Sequence, residues 1–275
     1  VGYGTRERKT VSGSISEVES GELTEVAVAN NTDKLAGRVP GLVTKQTSGL
    51  PGADYRNLSI RGFGDPLVLV DGVEMRMSQI DPNTIESISV LKDASAAIYG
   101  ARAGNGVILV ETKRGTPGQK PKLNYSSSLT AQQPTRLPEH VDARQYVEML
   151  TQAEELYGRP RTFSGQEVEC YSAPNSCENP ASWQSHDWYG ALFRTWTPQH
   201  QHNLNVQGGT EDISYFLSGG FLDQSSAFQS GDNSFARWNL RSNLDANVTD
   251  DITAYLDLSY RRAVRPRPGQ SLGEV

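Results

Sequence analysis

The chain has 275 residues, a net charge of −6 and 36% hydrophobic residues. A mean hydropathy of −0.53 and the lack of any run of ~18 apolar residues exclude a membrane-spanning helix. They do not exclude a membrane β-barrel, whose strands alternate polar and apolar residues. Mild acidity without a basic cluster argues against nucleic-acid binding, and the length allows one or two domains.

Residues 1–115 are Gly-rich and read as short strands with short helical pieces, a compact α+β domain. Arg61 stands in an otherwise apolar segment. Buried, it would need a carboxylate partner; exposed on a loop, it would not. Apolar runs at 67–70 and 107–110 suit strands covered on both faces. Asp71-Gly72, between Val70 and Val73, signals a turn. Residues 85–115, IESISVLKDASAAIYGARAGNGVILVETKRG, read as strand, tight turn, small-residue helix, Gly-rich turn and strand. Ser87, Ser89 and Leu91 alternate with Ile88 and Val90. Asp93 is the expected N-cap of a helix over 94–99, because its carboxylate can accept from free backbone N–H groups. Gly100 is expected to end that helix in a left-handed conformation. Gly104, Asn105 and Gly106 punctuate before the last strand.

From Lys120 the period changes to two. Strands are expected at 122–131, 199–207, 214–223, 237–248 and 252–261. In 237–248, Trp238, Leu240, Leu244, Ala246 and Val248 oppose Arg237, Asn239, Arg241, Asn243, Asp245 and Asn247. An added arginine should therefore be tolerated at Asn243 and not at Leu240 or Leu244. Strand 214–223 is less regular, since Phe216 and Leu222 oppose Tyr215, Leu217 and Phe221. These lengths suit a bilayer. A soluble antiparallel sheet with one wet face would alternate too. The loops favour a barrel: tight connections at 208–213 and 249–251 alternate with long ones at 132–198 and 225–235.

The first long connection holds an expected amphipathic helix at 141–157, capped by Asp142, with Val141, Tyr146, Val147, Leu150 and Leu156 on one stripe folded over the loop. Cys170 and Cys177 read as a disulfide closing a small loop in an oxidising compartment, or as two free surface thiols. Zinc would need two further ligands, and His186 alone is not enough. Trp183, Trp188, Tyr189, Phe193 and Trp196 read as a loop core or interfacial girdle before a sugar-stacking surface. His200 and His202 share the apolar face and read as membrane-interface residues rather than metal ligands. No Ser-His-Asp order, phosphate loop or Cys/His cluster is present. No catalytic residue, metal or cofactor is expected, and no substrate-binding residue is assigned.

Six short motifs stand in register: VGYGT at 1–5, LAGRVPGL at 35–42, SGLPG at 48–52, SIRGFG at 59–64, PLVLVDGVE at 66–74, and VLKDASAAIYGARAGNGVILVETKRG at 90–115. Together they resemble the plug domain of SusC/RagA-type TonB-dependent outer-membrane transporters. Asp93, where the general plug usually shows Gly, points to the SusC-like branch. The resemblance implies a plug at 1–115 and the first five strands of an outer-membrane β-barrel at 116–275, with a long first extracellular loop at 132–198. The family barrel has 22 strands. Five strands cannot close, and open edges are not tolerated in lipid. The chain is therefore expected to be part of a longer, split or cleaved one, and its opening without a signal peptide indicates a mature or cut chain.

The plug-motif residues implied are Arg61, Gly62, Asp71, Gly72, Lys92, Asp93, Tyr99, Gly100, Asn105, Gly106, Arg114 and Gly115. The resemblance pairs arginines such as Arg61 with acids on the barrel wall. It also implies a plug with its own core held in a polar lumen, removable without exposing apolar surface. The implied function is TonB-dependent import of a glycan or peptide across the bacterial outer membrane. A SusD-like surface lipoprotein would act as lid, and TonB would pull a segment upstream of Val1. The alternative is a structural or assembly subunit of a larger outer-membrane complex without transport.

Overall fold

Apolar runs in the first part of the chain and strict alternation further on give two five-stranded sheets of different kinds. The computed structural model describes residues 15–24, 30–92, 96, 98–135, 137, 139–249 and 251–266. These fall into two units. One takes in residues up to 132, 196–227 and those from 231 onward; the other takes in 133–195 and 228–230.

In the first unit, β1 (Ile15–Glu19) runs into helix α1 (Ser20–Thr24), and α2 (Asn31–Lys34) follows. Strands β2 (Leu42–Gln46) and β3 (Arg56–Ile60) pair antiparallel as a two-stranded sheet. Strands β4 (Leu67–Val70), β5 (Val73–Glu74), β6 (Ile85–Leu91) and β7 (Val107–Thr112) join β1 in a sheet of order β1-β6-β7-β4-β5. The β4–β7 pair is parallel, which fits their continuous apolar runs, because both faces are covered. Val68, Val70, Ile88, Val90, Ile108 and Val110 pack on one side with Leu35 and Ile60. Leu91 and Val107 pack on the other with Ala96 and Ala103, and Leu67, Leu69 and Leu109 lie against them.

The turn at Asp71-Gly72 has positive φ at both residues, +47° and +86°, the type I′ geometry that matches the twist of a tight hairpin. The expected helix at 94–99 and its cap fall largely outside the described residues, which lack Asp93, Ala94, Ser95 and Ala97; the motif at 1–5 lies outside them too. Gly100 does take positive φ, but at φ 78° and ψ −166° it is extended rather than left-handed helical. That region is open essentially to glycine alone.

The second sheet is a meander of β8 (Lys122–Gln132), β9 (Thr197–Gly209), β10 (Ile213–Gln224), β11 (Phe235–Thr249) and β12 (Ile252–Val264), each antiparallel to the next. Because alternate side chains share a face, its register sorts them into rungs. One face carries Leu123, Val206, Leu217, Ser242 and Leu258 on one rung, and Tyr125, Leu204, Gly219, Leu240 and Tyr260 on the next. A third rung, nearest the long connections, holds Ser127, His202, Phe221, Trp238 and Arg262. From Ala254 to Arg262 is eight steps. At ~3.4 Å each and a tilt of ~40°, this face spans roughly 20 Å, close to the height of an outer-membrane apolar band. His202 Nδ1 lies 2.9 Å from the Tyr125 hydroxyl and 3.1 Å from Ser127 Oγ. The histidine shares its rung with the Phe221 and Trp238 rings.

The second unit is helical. Helix α3 (Ala143–Leu156) opens on a capping box, with the Asp142 carboxylate accepting from Gln145 N and the Gln145 side chain accepting from Asp142 N. Helix α4 (Gly165–Ser172) repeats the device with Ser164 and Glu167. The expected apolar stripe of α3 is not the packed one. Val147 is buried, but Val141, Tyr146 and Leu156 are exposed, and the inward face is completed by Thr151 and Glu154. Glu154 is held there by Thr162, whose N–H and hydroxyl both donate to it. Cys170 and Cys177 form a disulfide with their Cα atoms 5.6 Å apart. Trp183 meets the edge of Tyr171, which meets Phe163. Tyr189, in the short helix α5 (Trp188–Leu192), links His140 to Phe193, and Phe193 packs on Phe228. Four of the five aromatics singled out by sequence thus make ring contacts inside this loop unit, Trp188 with His186 among them. Trp188, at 68% exposure, lies on its surface.

Candidate functional site

The other face of the long-stranded sheet is polar, and it lies against the N-terminal part of the chain. At the end of β7, Thr112 N donates to Asp71 Oδ1 at 3.0 Å and its hydroxyl donates to Oδ2 at 2.7 Å. The Arg241 guanidinium of β11 pairs with the same Oδ2. Asn243, two residues on, donates to Thr112 Oγ1 at 2.9 Å and to the Lys113 carbonyl at 2.7 Å. Arg114 then reaches two wall acids, Asp245 at 2.6 Å and Asp257 at 2.7 Å, with its guanidinium 5.9 Å from the Tyr255 ring. Gly115 closes this contact. A Cβ there would sit 2.3 Å from Tyr215 N and 2.6 Å from the Gly208 carbonyl, so only glycine lets the backbones meet.

A second anchor is Asp81. It caps the short 3₁₀ helix Pro82–Thr84 by accepting from Asn83 N, and it accepts from Asn239 of β11 at 3.3 Å. Its carboxylate faces Gly220 of β10, where a Cβ would come within 2.3 Å of Oδ2. Asp81 attracts the nearby cations Lys34 and Lys113. Burial pushes the Lys34 ammonium down to about 8, and Asp81 opposes that shift. A third anchor joins Gly52 and Asp54 to Gln224. Gly52 N donates to Gln224 Oε1 at 3.2 Å, and Gln224 donates to Asp54 at 3.0 Å and to Gln199 at 3.1 Å.

The motif residues therefore divide. Asp71, Arg114 and Gly115 lie on this seam. Gly72 shapes the Asp71 turn. Lys92 donates to Ser16 Oγ at 2.8 Å and to the Pro40 carbonyl at 2.5 Å, inside the N-terminal part. Tyr99 packs on the Leu91–Val107 cluster, Asn105 donates to the Asp65 carbonyl, and Gly106 fits under Ile60. Asp93 is outside the described residues. Arg61 and Gly62 form an exposed turn with φ of +54° and +82°. The Arg114 guanidinium is the one seen on the wall acids Asp245 and Asp257.

Sequence reading did not single out Asp54, Asp81 or Gly220 for the seam. It placed Arg241, Asn243 and Asp245 on the polar face of β11, and Asp257 on that of β12, without assigning them partners. Two expectations about this face change. Asn243 is buried under Thr112 and Lys113, so an arginine there would displace the seam rather than meet water. The face is also not uniformly polar: Phe216, Leu222 and Phe235 are buried on it, and Phe235 stacks where a Gly52 side chain would be.

The neutral hydrogen bonds among these are each worth about 0.5–1.5 kcal/mol net and those to charged groups about 1.5–3 kcal/mol, since water replaces them when they break.

Residues 7–107 match the family described as TonB-dependent Receptor Plug Domain. A TonB-dependent receptor of Formosa agariphila is 30% identical across 94% of this chain and 26% of its own length. TonB-dependent receptor SusC of Bacteroides thetaiotaomicron is 28% identical across 91% of this chain and 24% of its own. The structure of the RagAB peptide importer in the "open-open" state superposes with a TM-score of 0.76 at 28% identity, over 95% of this chain and 32% of the other. The chain spans about a quarter of the length of these curated relatives. With an N-terminal sheet domain seated by a polar seam on strands whose other face is apolar, the chain belongs to the SusC/RagA-type TonB-dependent receptors of the bacterial outer membrane, and it carries their plug domain and an antiparallel run of barrel strands.

Proposed function

We propose that the protein containing this chain imports a large nutrient, a glycan or a peptide, across the outer membrane in a TonB-dependent way. In this reading residues 1–115 are the plug, 116–275 begin the barrel, and 132–198 form its first extracellular loop. A SusD-like lipoprotein closes the substrate chamber from outside, and TonB, through a segment ahead of Val1, supplies the pull. The observation that carries the reading is the seam. The plug keeps its own apolar core, while hydrogen bonds and ion pairs dominate its contact with the wall. A force on the plug therefore has to break mostly groups that water can satisfy. RagAB, a peptide importer, favours a peptide among the two substrate classes.

The full-length protein should support uptake of its nutrient only in cells that have TonB, and should co-purify with a SusD-like lipoprotein. Uptake that persists without TonB overturns the reading. No uptake in either strain, with the protein recovered in a different envelope complex, points to the structural-subunit alternative.

A further inference from the structure

The membrane face of the barrel strands is not evenly covered. Gly219 stands on β10 where its neighbours on the same rung are Tyr125, Leu204, Leu240 and Tyr260. A Cβ there would meet only Leu240, at 3.6 Å. The missing side chain leaves a furrow. Its upper part, about 500 Å³, runs from the Trp238–Arg262 rung to Gly219. Its lower part, about 590 Å³, continues past Gly219 to Leu217 and Leu258. The two share Leu204, Gly219, Leu240 and Tyr260 in their walls and floor. Two rungs apart, the ends are separated by roughly 13 Å along the strands.

The upper rim is at the end of the long connections, which in such barrels faces outside. Arg262 stands there, exposed, with its guanidinium 6.0 Å from the Trp238 ring. His202, on the same rung, is fixed by Tyr125 and Ser127. Asp223 lies one rung further out and two strands away from Arg262. An aromatic girdle alone would need no cation at the head of an apolar furrow. A cation over a ring, at the depth of lipid headgroups, recognises phosphate, and an apolar track leading inward from it fits a hydrocarbon chain.

We propose that this furrow is a specific site for a phosphate-bearing acyl lipid of the outer leaflet, with the phosphate on Arg262 at the His202–Trp238 rim and one acyl chain lying over Gly219. The site is built into the wall itself and does not depend on what the protein transports.

The test uses the full-length protein in detergent, with native mass spectrometry and three probes: dioleoyl phosphatidic acid, dioleoylglycerol and inorganic phosphate. Phosphatidic acid should be retained as one tightly held copy, while the other two should not be retained. Arg262→Gln should weaken that copy about tenfold, the loss expected for a charge-assisted hydrogen bond. Gly219→Leu, which fills the track, should do the same, and Arg144→Gln on the loop helix should change nothing. Equal retention of dioleoylglycerol, or unchanged affinity in the folded Gly219→Leu variant, overturns the site and leaves ordinary annular lipid. Should Gly219→Leu fail to fold, chain-brominated phosphatidic acid decides. It should quench a fluorescence component that Trp238→Phe removes, and absence of that component contradicts the proposal.

Discussion

Arg241→Ala is expected to unseat the plug more than any other single truncation on the seam. The ion pair with Asp71 is nearly closed to solvent, with side-chain exposures of 11% and 12%. Removing one partner leaves the other charge buried and uncompensated, which costs roughly 3–5 kcal/mol. Thr112 still donates twice to Asp71, which puts the expected loss toward the lower end. Arg114→Ala should cost less, because its pairs are more exposed, at 34% for the arginine, and water screens the acids it leaves. Hydrogen exchange of the peptide spanning Thr112, in the full-length protein, reads the difference. Arg241→Ala should lower protection roughly a hundredfold, the equivalent of a loss near 3 kcal/mol. Adding Asp71→Asn should recover part of it, since a neutral amide needs no cation. If Arg241→Ala leaves protection unchanged, the seam does not hold the plug.

The second large effect is on the opposite face of the same strand. Leu240 is exposed on the apolar face, on the rung of Leu204 and Tyr260. Leu240→Arg would place a cation in hydrocarbon and should cost roughly 2–4 kcal/mol near the midplane. The yield of heat-modifiable barrel in the outer membrane should drop accordingly. The matched control is Asn124→Arg on β8, which belongs to the inward rung of Asn205 and Arg241 at similar depth. It should assemble normally. Equal yields for the two variants would mean that the two faces see the same solvent.

Much of this was legible from local pattern. The faces of β11 follow from alternation alone, because Leu240 and Arg241 must point to opposite sides of a pleated strand. The strands come out longer than the alternating windows by one to several residues at most ends, since Thr197, Pro198 and Phe235 pair in the ladder without extending the pattern. The irregular alternation of β10 has a cause in the fold: Phe216 and Leu222 break it because both are buried on the inward face of the sheet, Leu222 beside Phe235. The seam partners were not legible. Asp71 and Arg241 are 170 residues apart, and Asn243 and Thr112 are 131 apart. No local window carries such a pairing. The same limit hid the partners of Arg114, which the end of β7 carries to Asp245 and Asp257. The stripe of α3 misleads for a simpler reason. Thr151 and Glu154 are satisfied by Val147 O and Thr162 and so can face inward, which a hydrophobic count does not anticipate.

The central claim is that the N-terminal domain is a removable plug in a barrel wall. The most direct measurement is single-channel conductance in planar bilayers, comparing the full-length protein with the same protein lacking residues 1–115. The deletion should assemble and conduct small ions through a large, steadily open pore, while the intact protein stays closed. A deletion that assembles and is as tight as the intact protein would contradict the account.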